Sequence, residues 1–262
     1  MTSEQEPHTF RYIYVSPHLD DAVYSCGGQI WQQVQDGERV LVVTVLAGSP
    51  PADMPLSPFA QSLHQRWGTL RDAAAVRQSE DLEALAILGA EAIHWPYTDC
   101  IYRRVPGGGF PYDSEESLWG DIHPAEDGLM DELASRLVAL PLQAGGTLYA
   151  PAGIGRHVDH QMVRRVAERT DCAVTYYEDF PYAGAAPEQV RAVLGAGGWE
   201  ARLTTLSEQA LQAKITAIAC YRSQISTFWS NLDELAAQVR EFARKVGGRR
   251  LAERYWRPQH CL

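Results

Sequence analysis

Several things are missing from this 262-residue chain, and each absence excludes a class of protein. No run approaches the roughly 20 apolar residues that a membrane-crossing helix requires. The first fifteen residues, MTSEQEPHTFRYIYV, lack a basic stretch followed by an apolar one, so no secretory signal is expected and the expected compartment is the cytoplasm. Cysteine is sparse: Cys26, Cys100, Cys172, Cys220 and Cys261 are odd in number, scattered, and form no CxxC pair. Neither a disulfide framework nor a thiolate zinc site is indicated. Positive charge is in deficit, with 23 Lys and Arg against 33 Asp and Glu and a formal net charge of -10. Such a chain repels a phosphate backbone and an anionic membrane surface, so neither nucleic acid nor membrane is an expected partner. No repeat or low-complexity segment interrupts it.

What is present reads as one α/β domain. RYIYVS (Arg11–Ser16) is a short β-branched and aromatic strand ending before Pro17. GGQIWQQVQDG (Gly27–Gly37) has helical apolar spacing, and RVLVVTVLAG (Arg39–Gly48) is an apolar run of the kind a central parallel strand needs. Strand, helix and strand in that order form a βαβ unit. The expected fold is therefore α/β and Rossmann-like, a mostly parallel sheet flanked by helices on both faces. The whole of 1–262 reads as a single domain, with a core over about 11–183 and a helical C-terminal part over about 200–262. A helix is expected over Thr69–Leu88 and strands over Ala92–Pro96, Thr147–Gly153 and Cys172–Ala183. Further helices are expected over Glu126–Leu140, His157–Thr170, Ser207–Tyr221 and Leu232–Val246. The segment from Tyr97 to about Asp127 is too long for an idle connection and reads as a substrate-side loop or lid.

Two short motifs carry chemistry. SPHLDDA (Ser16–Ala22) places His18, Asp20 and Asp21 where the first strand ends, which is where open α/β sheets bind ligands. Adjacent carboxylates there are costly unless a cation or hydrogen bonds stabilise them. RHVDHQMV (Arg156–Val163) places His157, Asp159 and His160 at the end of another apolar strand. Either motif alone has an ordinary explanation: Asp21 as a helix cap with His18 at the surface, or a pair of surface histidines. Together they offer imidazole and carboxylate ligands without sulfur. That set suits Zn²⁺ in an open catalytic site, and it also suits non-haem Fe²⁺. Zinc lowers the pKa of its water towards about 7 and polarises a carbonyl. A spare carboxylate can then serve as general base, and a spare histidine can stabilise an oxyanion.

PHLDDA resembles the (P/A)HPDDE motif, and HVDH the HPDH motif, of the PIG-L/LmbE-like N-acetylglucosaminyl deacetylases. The resemblance extends through VRQSEDLEALAILGAE (Val76–Glu91) to YRSQ (Tyr221–Gln224), and covers roughly Tyr12 to Gln224. It implies one zinc per chain held by His18, Asp21 and His160. It implies Asp20 as general base, His157 as the group that stabilises the tetrahedral intermediate or helps protonate the leaving amine, and Asp159 as the residue orienting His157. Arg77 falls where the family often places a substrate-binding arginine, with an ion pair to Glu80 as the structural alternative. The implied reaction is hydrolysis of the N-acetyl group of a small N-acetylglucosamine conjugate.

Leu19 and Ala22 stand where the family usually has Pro and Glu, and Gly155 leaves no side chain where some relatives carry an aromatic. Two rival readings remain open on sequence alone. One is a metal-dependent amidase or esterase acting on a non-sugar substrate. The other is a non-catalytic Rossmann-like protein that binds a sugar or nucleotide. Tyr176, Tyr177, Glu178 and Asp179 end a strand and are candidates to line the pocket. His64, His94 and His123 read as surface or loop residues.

Overall fold

The computed structural model describes residues 9–66, 73–170, 172–195 and 197–259. Along the chain these form β1 (Phe10–Ser16), α1 (Asp21–Gln35), β2 (Val40–Thr44), α2 (Pro58–Arg66), α3 (Ala73–Leu88) and β3 (Glu91–His94). Next come α4 (Glu115–Leu118), α5 (Asp127–Val138), β4 (Leu142–Pro151), α6 (Val158–Glu168) and β5 (Val174–Tyr177). The remainder is α7 (Tyr182–Ala185), α8 (Pro187–Leu194), β6 (Trp199–Thr205), α9 (Glu208–Ile218), α10 (Arg222–Phe228), α11 (Leu232–Gly247) and β7 (Ala252–Pro258). The expected helix over Thr69–Leu88 is present from Ala73; its first four residues, like Cys261, lie outside the described set.

The seven strands make one sheet in the order β3-β2-β1-β4-β5-β7-β6. The first five are mutually parallel, while β7 runs antiparallel to both β5 and β6. This is the α/β, mostly parallel, Rossmann-like architecture expected from the βαβ pattern. All five residues of β2 are buried, because helices cover both faces of the sheet and leave no solvent-facing side for polar residues. One core layer joins α1, α3, α9 and α11 to the sheet through Tyr14, Ile30, Leu85, Leu211 and Val239. The other packs α5, α6 and α8 against it through Ile13, Val43, Leu133, Val163 and Leu194.

The C-terminal part is not wholly helical, since β6 and β7 extend the sheet. Their sequences, WEARLTT and AERYWRP, intersperse charges and show no apolar run that would announce a strand; β6 is the largely exposed edge, and β7 lies between it and β5. Burial at one point fastens β7. Glu253 accepts from Lys214 Nζ at 2.7 Å and from the backbone N–H groups of Gly28 and Gln29 at 3.0 and 2.9 Å, so α1, α9 and β7 share one buried, satisfied carboxylate.

The chain runs outward from β1 to β3 and then returns to β4 beside β1. The switch in strand order therefore falls between β1 and β4, and the loops leaving their carboxyl ends open a crevice there. Both sequence motifs lie on those two loops.

Candidate metal centre

The loop after β1 is pulled tight by its own side chains. Ser16 Oγ donates to the His18 carbonyl at 2.7 Å and accepts from the Ala22 N–H at 3.0 Å, and the His18 N–H donates to Asp21 Oδ2 at 2.9 Å. The turn forces Asp20 to φ 141°, a region that side-chain-bearing residues rarely occupy and that costs on the order of 1–3 kcal/mol. Asp20 stands at the N-cap of α1 without a side-chain cap bond. Asp21 spends its carboxylate on the His18 N–H and not on the helix, so the ordinary capping explanation of these carboxylates does not describe them. Leu19 and Ala22 are both buried and pack into the core.

The loop after β4 turns through positive φ at Gly153, Gly155 and Arg156 before His157 caps α6. Gly155 is required for space as well as for its φ of 90°. A Cβ there would lie 2.7 Å from Cγ of Tyr182, whose ring faces the crevice. The aromatic absent from position 155 is thus replaced by one arriving from α7.

These turns bring the two motifs together. Asp21 Oδ2 lies 3.2 Å from His18 Nδ1 and 3.2 Å from His160 Nε2. The ligand atoms of His18, His157 and His160 lie within 4.8 Å of one another. The outer nitrogens of the two histidines that flank Asp21 are also held by carboxylates: His18 Nε2 meets Asp159 Oδ2 at 2.9 Å, and His160 Nδ1 meets Asp179 Oδ1 at 2.7 Å. Each outer carboxylate holds a proton on the nitrogen it faces, so the inner nitrogens, His18 Nδ1 and His160 Nε2, both point at Asp21. Protons on them bridge to the carboxylate, and a cation that replaced those protons would meet two imidazole nitrogens and a carboxylate oxygen at one point. Carboxylate–histidine pairs of this kind support metal ligands, so the donor set fits a divalent transition metal.

The electrostatics follow this geometry. Burial would lower the His160 imidazole, but Asp21 and Asp179 reverse this and push it up to about 10. His18 is raised in the same way, against burial, by Asp99, Asp159 and Asp21. Asp21 is held well below the carboxylate range, against burial, by His160 and His18. Burial and the charge of Asp21 push Asp20 up to about 8, opposed by Arg77. Burial and the neighbouring His18 hold His157 down to about 3, so its ring is neutral. His157 Nδ1 accepts from the Asp159 N–H at 3.3 Å, which leaves the proton on Nε2.

Asp159 thus orients His157 through its backbone. Its carboxylate turns elsewhere, to His18, to the Cys100 N–H at 3.0 Å and to Arg103 Nη2 at 2.6 Å. Arg77 reaches the crevice from α3, with Nη2 3.6 Å from Asp20 Oδ2 and 3.3 Å from the Leu19 carbonyl. Glu80 is engaged by Ser223, accepting from its backbone N–H at 2.9 Å and its hydroxyl at 2.6 Å.

The crevice encloses about 240 Å³. Its lining combines the polar Asp20, Asp21, Asp99, Arg77 and His157 with the apolar or aromatic Leu63, Ile101, Leu118, Trp119, Tyr182 and Phe228. The segment 97–127 supplies Asp99, Ile101, Glu115, Leu118 and Trp119, in keeping with its expected substrate-side position. Sequence reasoning did not single out Asp99, Arg103, Glu126 or Trp119, since nothing local distinguishes them. Of Tyr176, Tyr177, Glu178 and Asp179, expected as pocket candidates, none lines the crevice: Tyr177 donates to the Val15 carbonyl, Glu178 turns to Arg254 and Trp256, and Asp179 acts from behind His160. His64 corrects its surface assignment: it is buried and bonded to the Tyr102 hydroxyl. His94 is half-buried against Asp81, 2.7 Å away.

Fold and site together define an α/β protein with a buried histidine–aspartate cluster, of a kind that could hold a metal ion, at the strand switch of a Rossmann-like sheet. Residues 13–170 match the profile of the PIG-L family, described as GlcNAc-PI de-N-acetylase, and the chain belongs to that family. It is 30% identical over 254 residues to a 2'-N-acetylparomamine deacetylase of Streptomyces fradiae, covering 92% of this chain and 80% of the relative. The corresponding enzyme of Niallia circulans is 27% identical over 186 residues, 65% of this chain and 67% of that one. Among solved structures, the zinc-inhibited form of teicoplanin deacetylase superposes with a TM-score of 0.80 at 30% identity, over 94% of this chain and 96% of that one. The A40926 pseudoaglycone deacetylase gives a TM-score of 0.72 at 28% identity, over 95% and 96%. No helix among the described residues is long and apolar enough to cross a membrane.

Proposed function

We propose that this protein is a metal-dependent deacetylase that hydrolyses the N-acetyl amide of an N-acetylglucosamine unit in a small glycosylated molecule. The observation that carries this reading is the convergence of His18 Nδ1, Asp21 Oδ2 and His160 Nε2, with the Asp20 carboxylate next in sequence. Family membership supports it, as do the relatives named for deacetylation of 2'-N-acetylparomamine and of the A40926 pseudoaglycone. Zinc, or ferrous iron, held by His18, Asp21 and His160 would polarise the amide carbonyl and acidify a water molecule.

The chain's own residues supply the rest. Asp20 accepts the proton of the attacking water and returns it to the leaving amine nitrogen. Its elevated pKa makes it a stronger base than an exposed aspartate once it is ionised. His157, neutral and protonated on Nε2, donates to the amide oxygen as negative charge develops there. Arg77, held beside Asp20, binds a polar group of the sugar and favours the ionised carboxylate. Asp159 and Asp179 keep His18 and His160 in the tautomers that a metal requires.

The test is acetate release from N-acetylglucosamine conjugates by the purified, metal-loaded protein. Asp20→Asn should lower the rate by about 10²–10⁴-fold while leaving metal content unchanged, whereas His160→Ala should lose the metal. Absence of acetate release from every N-acetylated sugar would overturn the reading. An Asp20→Asn enzyme within tenfold of the parent would remove Asp20 from the base role.

A further inference from the structure

We infer that Trp119 is a stacking platform for the part of the substrate beyond the reacting N-acetyl sugar, so that it sets specificity for a second ring. The inference rests on the reading of the crevice as a deacetylase site. Among the described residues, eight large apolar side chains are exposed, and Trp119, at 41%, is the one that lines the crevice. Its ring stands edge-on to His157 with centroids 5.3 Å apart, and to Tyr182 at 5.6 Å. The indole therefore flanks the group assigned to the reacting carbonyl while remaining open to solvent. The Trp119 backbone N–H is spent on the Glu116 carbonyl at 3.2 Å, whereas its indole Nε1–H has no partner among the described residues, which leaves a donor beside the open ring. A pyranose presents a face of C–H bonds and a rim of hydroxyls, and an exposed indole meets both.

The platform is anchored. Ser114 and Ser117 close a capping box around α4, which ends at Trp119. Gln161 Nε2 donates to the Gly120 carbonyl at 2.8 Å, and Arg156 Nη2 to Asp121 Oδ1 at 3.1 Å. Arg156 and Gln161 immediately flank the HVDH motif. The two residues following Trp119 are thus tied to the two ends of the segment that carries His157 and His160. Trp119 is set at a defined position from the reacting centre before substrate arrives, and preorganisation of this kind lowers the ordering cost of binding. The same crevice is lined by the apolar Leu63, Ile101, Leu118 and Phe228, and its Arg66 and Glu115 pair with each other at 3.1 Å, so apolar surface is available there for a ring face.

The experiment compares N,N'-diacetylchitobiose with free N-acetylglucosamine in the holoenzyme and in Trp119→Ala and Trp119→Phe. Trp119→Ala should raise KM for the disaccharide about tenfold with kcat within about twofold, leave KM for the monosaccharide unchanged, and keep metal content and Tm. Trp119→Phe, retaining a ring, should recover most of the loss. An equal loss on both sugars, a fall confined to kcat, or no change would overturn the platform. Binding of the deacetylated disaccharide, measured calorimetrically, separates this inference from the reading beneath it. If the parent binds that ligand about tenfold more tightly than Trp119→Ala but releases no acetate from either sugar, the platform stands and the deacetylase reading falls. If acetate is released and the affinities are equal, the platform falls alone.

Discussion

Asp179→Asn isolates the outer support of the candidate metal centre. In the parent, Asp179 Oδ1 faces His160 Nδ1 at 2.7 Å, and Oδ2 accepts from the Ile154 N–H at 2.8 Å. Both contacts are buried, and Asp179 is 1% exposed. An asparagine keeps one acceptor and gains one donor. If its oxygen stays on His160, its NH₂ confronts the Ile154 N–H, and the loop between β4 and α6 loses a bond. If it flips, the NH₂ confronts the protonated nitrogen of His160, and the ring is no longer held with its other nitrogen toward Asp21. The first arrangement leaves a buried donor unsatisfied, at about 1–3 kcal/mol, or a fall in Tm of roughly 2–12 °C for a chain of this size. Either arrangement removes a charged acceptor from a metal-supporting histidine, an effect of about 10–100-fold in metal affinity. Competition with a chromophoric zinc chelator measures the affinity, and thermal melts with and without EDTA measure the stability. The neighbouring Glu178→Gln is the control. Its carboxylate pairs with Arg254 and Trp256, away from the centre, so it should lower stability without changing zinc affinity. Unchanged zinc affinity in Asp179→Asn, or an equal fall in both variants, would refute the assignment of Asp179 as support for His160.

Two other predictions follow from the charges around this centre. A metal must displace the protons that His18 and His160 retain above the ordinary imidazole range, His160 up to about 10. Protons therefore compete for the ligand nitrogens at neutral pH, and affinity must rise with pH. Between pH 6 and 8 the increase should be about 10–100-fold per unit, one factor of ten for each proton released; a flat profile in chelator competition would exclude proton-blocked ligands. Arg103 lies buried between Asp159 and Glu126, and Tyr112 adds its hydroxyl to Glu126 at 2.8 Å. Arg103→Met removes the cation shared by two buried carboxylates, leaving Asp159 only His18 and the Cys100 N–H and Glu126 only the Tyr112 hydroxyl, and should cost about 3–5 kcal/mol, lowering Tm by roughly 6–20 °C; a variant melting within about 2 °C of the parent would show that the pair is dispensable.

Much of this protein is determined locally and can be read without a structure. The apolar run of β2, the βαβ order and the glycine stops define a parallel sheet, because burial on both faces permits little else. The motifs PHLDDA and HVDH are identifiable because each packs a histidine and carboxylates into a few residues at a strand end, and that density is visible in one dimension. The strands β6 and β7 are not legible: β6 is an exposed antiparallel edge that needs no apolar run, and β7 is held inside the sheet by long-range contacts such as that of the buried Glu253 with α1 and α9.

The partition within the site also had to await the tertiary structure. Asp159 was recognisable as part of the cluster, but only the packing of the 97–127 segment turns its carboxylate to His18 and Arg103 and leaves its N–H for His157. Asp99, Arg103 and Trp119 come from a segment whose sequence shows no period, and Asp179 from a strand end 19 residues beyond His160. Residue type and local spacing settle which groups can ionise, ligate or stack. Which of them face one another depends on strand order and on loops closing across the sheet, and no short stretch of sequence contains that information.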